Sequence, residues 1–406
     1  MSILFGVDRL IQDESLRQKL AGKRIGLVGH PASVTASLDH SLYALAALND
    51  LNITCALGPQ HGMRGDKQDN MIETEDYLDP DLGIPIFSLY GEHRRPTESM
   101  LEPLDVILYD LQDLGCRVYT YVTTLLYVIE EAARLGKSVW VLDRPNPAGR
   151  PIDGLTLRTG WESFVGVAEF PMVHGMTMGE LGAWYIDRKK IDIDYHVVKM
   201  ENYDPTTGPG YGWPVNERPW VNPSPNAASL NMARAYGGTV MIEGATLSEG
   251  RGTTRALEVI GAPDLNANDL IAEMQRLAPD WLAGCTLRPA WFEPTFHKHA
   301  GQMCEGFQIH AEKAFYDPDV FKSWRVTALA FKAIRSLYPQ YPIWRGLDFK
   351  YEYTEGHPAI DIINGSDELR LWVDDGTATP EDLERQLGKD LSAWKDESRA
   401  FHLYPS

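Results

Sequence analysis

Through the first half of the chain, short apolar runs alternate with longer stretches in which apolar residues recur at helical spacing. Arg24-Ile25-Gly26-Leu27-Val28-Gly29 opens the series, and a periodic stretch through Leu42, Leu45, Leu48 and Leu51 follows it. Ile53–Gly58, Ile84–Leu89, Asp105–Asp110 and Ser138–Asp143 are further apolar runs. Between the last two, Leu125, Val128, Ile129, Ala132 and Ala133 share one face of a helix predicted over Tyr121–Leu135. Strands without polar alternation are buried on both faces, and helical crossovers between them make the sheet parallel. The pattern predicts a doubly wound, mostly parallel α/β domain.

The pattern changes further on. Thr239-Val240-Met241-Ile242 reads as a returning strand that runs into Glu243-Gly244-Ala245-Thr246-Leu247-Ser248-Glu249-Gly250-Arg251-Gly252-Thr253. Helices are predicted over Leu265–Leu277, with Asn266 or Asn268 as cap, and over Val326–Leu337. Ala359–Ile363 fits a short strand or a helix, and Pro380–Leu391 and Ser392–Phe401 read as two short terminal helices. A length of 406 residues suits two domains, expected at 1–260 and, smaller, at 261–406.

Composition narrows the partners. Hydrophobic residues at 44% and charged residues at 23% are enough for a large core and exclude a disordered or fibrous chain. The 57 acidic against 38 basic residues give a formal charge of −19, which repels phosphate backbones, so no nucleic-acid partner is expected. The four cysteines, Cys55, Cys116, Cys285 and Cys304, have no Cys-x-x-Cys spacing, which excludes a zinc knuckle or thioredoxin-like centre. The opening residues reach Asp8 before any signal-like apolar run, and no run approaches about 20 apolar residues. A cytoplasmic protein without membrane insertion is expected.

Cofactor motifs are missing. Gly26-Leu27-Val28-Gly29-His30-Pro31 lacks the dinucleotide fingerprint, and Pro31 removes a backbone N–H that a pyrophosphate would use. Neither a P-loop nor a nucleophile elbow occurs. His297, His299 and His310 have no acid at ligand spacing, so neither a metal nor a cofactor is expected.

The strand ends are polar instead. His30, Gln60 with His61, Tyr90, Asp110 with Gln112 and Asp113, and Asp143 with Arg144 and Asn146 each follow an apolar run. Ligands of open α/β sheets sit outside those carboxyl ends. Gly58–Gly65 brings Gln60, His61 and Arg64 together, and Asp110–Tyr121 adds Gln112, Arg117, Tyr119 and Tyr121. Asn222 and Asn226 lie on a proline-stiffened loop. Amides, acids and aromatic rings in this density suit a carbohydrate, whose hydroxyls need donors and acceptors while its face stacks on a ring. Hydrolysis of a glycoside needs a proton donor and a group that stabilises or traps the cationic sugar. Glu243, at the end of an apolar run, and Glu249, beside Arg251, are the leading candidates, with Asp110 and Asp113 as alternatives.

Several blocks carry a family resemblance: Gly58–Gly65, Ser88–Gly91, Asp110–Tyr121, Leu142–Pro147, His174–Thr177 with Gly179–Leu181, Trp220–Asn226 and Glu243–Thr253. In this order they resemble the bacterial DUF1343 family, whose characterised members are exo-β-N-acetylmuramidases called NamZ. The resemblance implies a Rossmann-like catalytic domain without nucleotide and a smaller C-terminal domain closing a cleft. It also implies release of non-reducing terminal N-acetylmuramic acid from peptidoglycan fragments. Asn146 and His174 join the expected substrate-binding set on this basis, and Arg64, Arg117 and Arg251 are available for the lactyl carboxylate. Relatives typically have a glutamate immediately before the histidine of the first block, where this chain has Gln60. An amide exchanges no proton near neutrality. The alternative expectation is therefore a non-catalytic binder of amino-sugar fragments.

Overall fold

A computed structural model describes residues 2–69, 71–312 and 315–406. Among the described residues nine strands lie in the first part: β1 (Arg24–Val28), β2 (Asn52–Gly58), β3 (Tyr77–Leu78), β4 (Pro85–Ser88), β5 (Val106–Tyr109), β6 (Ser138–Leu142), β7 (Asp153–Thr156), β8 (Pro171–Val173) and β9 (Tyr195–Val198). Seven of them form one sheet in the order β3-β4-β2-β1-β5-β6-β9, parallel throughout except that β3 runs against β4. The expected Rossmann-like topology is present. The chain winds outward from β1 through β2 to β4, then returns to the other side of β1 for β5, β6 and β9. The reversal between β1 and β5 opens a crevice at their carboxyl ends, where such sheets bind ligands.

Burial explains why these segments are strands. Ile25, Leu27, Ile107 and Leu108 are wholly buried, as a strand covered on both faces requires. The helix Tyr121–Arg134 lays Leu125, Val128, Ile129 and Ala132 into the core on the face that carries Ile107, while Ile25, Leu27 and Leu108 fill a second core.

The smaller part is α+β. Strands β10 (Val259–Ala262), β11 (Thr286–Phe292) and β12 (Cys304–His310) form an antiparallel sheet in the order β10-β12-β11. The helix Ala267–Leu277 packs on it, and the Asn266 side chain caps that helix by accepting from Asp269 N at 3.0 Å. The expected helix after Val326 begins at Ser323, Ala359–Asn364 is helical, and a single helix, Pro380–Ser398, replaces the two predicted at the end. The four cysteines are free. No helix among the described residues is long and apolar enough to cross a membrane.

One predicted strand is absent. Thr239 ends the helix Leu230–Thr239, and Val240–Gly244 continues as a 3-10 turn. A short, uniformly apolar run carries no periodicity that separates strand from buried helix. Gly238 sits inside that helix because the helix Ser323–Leu337 crosses it closely: a Cβ there would lie 2.0 Å from Ser323 O. The crossing ties the two parts together and fixes the turn that carries Glu243.

Candidate active site

The segments after β2 and β5 of the large sheet and two turns of the second half converge on one partly open cleft with about 500 Å³ of free space, open solvent included. Gln60 and His61 enter it from the end of β2, and Tyr119, Thr120 and Tyr121 from the segment after β5. Tyr90, following β4, and Gln60 both donate to the carboxyl group of Glu352, one to each oxygen. Ser224 and Asn226 lie on the proline-stiffened loop, Glu243 on the 3-10 turn, and Arg251 on the glycine-flanked loop after it. Tyr351 and Glu352 complete the lining from a second 3-10 turn, Tyr351–Tyr353.

Glu352 is the residue that sequence reasoning missed. Its Oε1 accepts from Gln60 Nε2 at 3.1 Å and its Oε2 from the Tyr90 hydroxyl at 2.7 Å. Burial pushes its carboxyl up to about 7, with Glu243 adding repulsion, against the opposing hydrogen bonds from Tyr90 and Gln60. Such a group carries a proton in acid and releases it near neutrality. The backbone at Glu352 and Tyr353 is left-handed, with φ of 45° and 63°, a conformation that costs non-glycine residues energy and concentrates at functional sites. The one sequence signal was an acid flanked by two tyrosines, Tyr351-Glu352-Tyr353.

Glu243 has different neighbours. It forms an ion pair with Arg251 and accepts from the Tyr351 hydroxyl at 2.7 Å. Arg251 also donates through Nε to Glu249 at 2.9 Å, and Lys298 lies 3.0 Å from the other Glu249 oxygen. Burial opposes ionisation of Glu249, but Lys298 and Arg251 outweigh it and hold the carboxyl at about 2. Glu249 does not line the cleft; it anchors the arginine that faces Glu243. The histidines beside Lys298 are occupied elsewhere, His297 with Asp69 at 2.9 Å and His299 with Thr246 O at 2.9 Å.

Aromatic rings make the wall. Tyr119 meets Tyr121 edge to face at 4.6 Å and Tyr236 at 5.5 Å. The Tyr121 hydroxyl donates to Pro223 O at 2.7 Å, which locks the proline loop against the sheet rim. His61 is held by Lys67 O at 2.7 Å, and burial lowers its pKa to about 4, so the imidazole is neutral at neutral pH.

Of the expected site residues, the structure brings Gln60, His61, Tyr119, Tyr121, Asn226, Glu243 and Arg251 to the cleft. It places the others elsewhere. Asp110 is buried in a bidentate pair with Arg144 at 2.7 and 2.8 Å. Asp113 accepts from Gly115 N at 2.6 Å and lies 3.3 Å from His174 Nε2. Gln112 donates to Asp113 O and Pro145 O, and Asn146 to Met176 O, so both are backbone braces. Arg117 is wholly buried among the carbonyls of Leu155, Phe170, Ile363 and Asn364, with burial lowering its pKa to about 10. It ties the two parts together and is not available to a ligand. Arg64 is exposed and stacks on Tyr77 at 4.7 Å, and Asn222 is exposed. Among the described residues no cluster of histidine, cysteine and acidic side chains could hold a metal.

A Rossmann-like sheet with a smaller α+β part, joined around a cleft of acidic, amide and tyrosyl side chains, is a glycoside-hydrolase-like architecture. The chain belongs to the exo-β-N-acetylmuramidase NamZ (DUF1343) family: the N-terminal family model matches residues 25–231 and the C-terminal one residues 234–404. The peptidoglycan β-N-acetylmuramidase NamZ of Bacillus subtilis (strain 168) is 36% identical over 400 residues, 98% of this chain and 91% of that protein. The crystal structure of a DUF1343 family protein from Bacteroides fragilis NCTC 9343 matches with a TM-score of 0.85 and 28% identity over 99% of each chain. A second from the same organism, at 0.74 and 23% over 100% of both chains, shares the fold.

Proposed function

We propose that this protein is an exo-β-N-acetylmuramidase that releases terminal N-acetylmuramic acid from the non-reducing end of peptidoglycan fragments, with Glu352 as proton donor. The observation that carries this reading is the pair of unlike acidic environments in one cleft. Glu352 is held near neutrality by burial, while Glu243 faces the Arg251 guanidinium and the Tyr351 hydroxyl. Acid and charge-stabilising roles require that difference. Protonated Glu352 gives its proton to the glycosidic oxygen as the bond from that oxygen to C1 breaks. The Glu243 carboxylate, paired with Arg251, stabilises the cationic sugar, and water supplies the hydroxyl that ends on C1 while its other proton returns to the Glu352 carboxylate. The tyrosyl wall offers the sugar a stacking face. Family membership and the Bacillus subtilis relative support the substrate class.

The test is release of chromophore from a β-N-acetylmuramic acid glycoside by the wild-type protein and by Glu352→Gln. Turnover that falls by at least about 10²-fold in the variant is expected for loss of a general acid. Gln60 favours a second reading, a non-catalytic binder. Tight binding by calorimetry without release at any pH from about 5 to 8 would replace the first reading with the second.

A further inference from the structure

Gln60 is 6% exposed and its amide is held at both ends. The Thr120 hydroxyl donates to Gln60 Oε1 at 2.6 Å, which turns the NH2 group toward Glu352 Oε1 at 3.1 Å. Thr120 directly precedes the helix Tyr121–Arg134, so the orienting hydroxyl is fixed by a rigid element. A glutamate at position 60 could also accept from Thr120 but would turn its second oxygen toward the carboxyl of Glu352.

We propose that Gln60 is a positioning residue for Glu352: pinned by Thr120, its amide N–H grips one carboxyl oxygen and governs when that group holds its proton. The inference rests on the reading of Glu352 as proton donor. A buried carboxyl with too few donors stays protonated and cannot give its proton away; each N–H aimed at it favours the charged form. The other groups facing Glu352 are the Tyr90 hydroxyl and Arg94 from the segment after β4, Glu243 from its own turn and the neighbouring Tyr351. Tyr90 and Arg94 act in the same direction as Gln60, and Glu243 acts against them. The amide thus takes one side of a balance around a group that titrates near neutrality.

The carboxyl of Glu352 is followed by infrared difference titration of each protein against the same protein carrying Glu352→Gln, a readout independent of turnover. Gln60→Met, which keeps bulk and removes the donor, raises the midpoint by about one pH unit, the value of one hydrogen bond to a charged group. Gln60→Glu raises the upper midpoint of the resulting carboxyl pair by at least about as much, because the two groups share one proton. Thr120→Val shifts the midpoint in the same direction, and Thr120→Ser restores it. An unchanged midpoint in folded Gln60→Met and Gln60→Glu overturns the inference. A shifted midpoint in a protein that never releases muramic acid leaves the inference standing and removes the glycosidase reading instead.

Discussion

Arg251 Nε donates to Glu249 at 2.9 Å from within the protein, so that Glu249 faces the arginine and not the cleft. The neighbour that a reacting carboxylate would need has become its full-time partner. Lys298 closes the other side, and the same arginine reaches on to Glu243. Glu249→Gln leaves two buried cations without their shared counter-charge. Breaking such a pair costs about 3–5 kcal/mol, so urea unfolding of Glu249→Gln is expected to show a loss of that size. Wild-type stability in the variant would contradict the anchoring role.

The same residue sets an acid limit on stability. Its carboxyl is held at about 2 in the folded protein against an ordinary value of 4.5. A depressed carboxylate contributes stability that is fully present above the unfolded value and is lost as pH falls through the folded one. Thermal unfolding should therefore lose about 3 kcal/mol from this group between about pH 4.5 and pH 2. In Glu249→Gln that part of the acid dependence should be missing.

Arg117 is expected to matter for stability and not for ligand choice. Its guanidinium holds carbonyls of β7, of Phe170 and of the helix Ala359–Asn364. Arg117→Ala strands those acceptors in the interior, at about 1–3 kcal/mol each before relaxation. Melting should drop sharply, while ligands with and without the lactyl carboxylate weaken equally. Selective weakening of the lactyl-bearing ligand would return Arg117 to the binding set.

Gly115 lets the segment after β5 turn before it reaches the tyrosines. Its φ is +77°, and a Cβ there would lie 2.3 Å from Asn146 Oδ1, a brace held by its own backbone bonds. Gly115→Ala adds about 1–2 kcal/mol for the left-handed backbone alone, so a lower melting temperature and a displaced Tyr119–Tyr121 wall are expected. A variant as stable as wild type would show that the turn relaxes freely.

The large sheet was legible because its strands are buried on both faces and end in polar residues, and Gln60, His61, Tyr119 and Tyr121 do stand at that rim. Polar residues at a rim have two destinations, however. Asp110, Gln112, Asp113 and Asn146 turn inward to pair with Arg144, His174 and backbone groups, a choice decided by tertiary packing that the local sequence does not carry. Glu352 was invisible for a related reason. It meets Gln60 across a sequence separation of 292 residues and sits in a left-handed turn that no glycine announces. The run Thr239–Ile242 misled because β-branched residues suit a strand, while the close crossing at Gly238 made the segment helical.

The central claim is that Glu352 donates the proton, and the dependence of kcat/KM on pH tests it most directly, because that ratio reports the free enzyme. With a muramic acid glycoside, activity is expected to fall as pH rises through about 7, where the Glu352 carboxyl loses its proton, and Glu352→Gln is expected to be silent across the range. A variant that keeps wild-type turnover, or a wild-type profile flat to pH 8, would contradict the assignment.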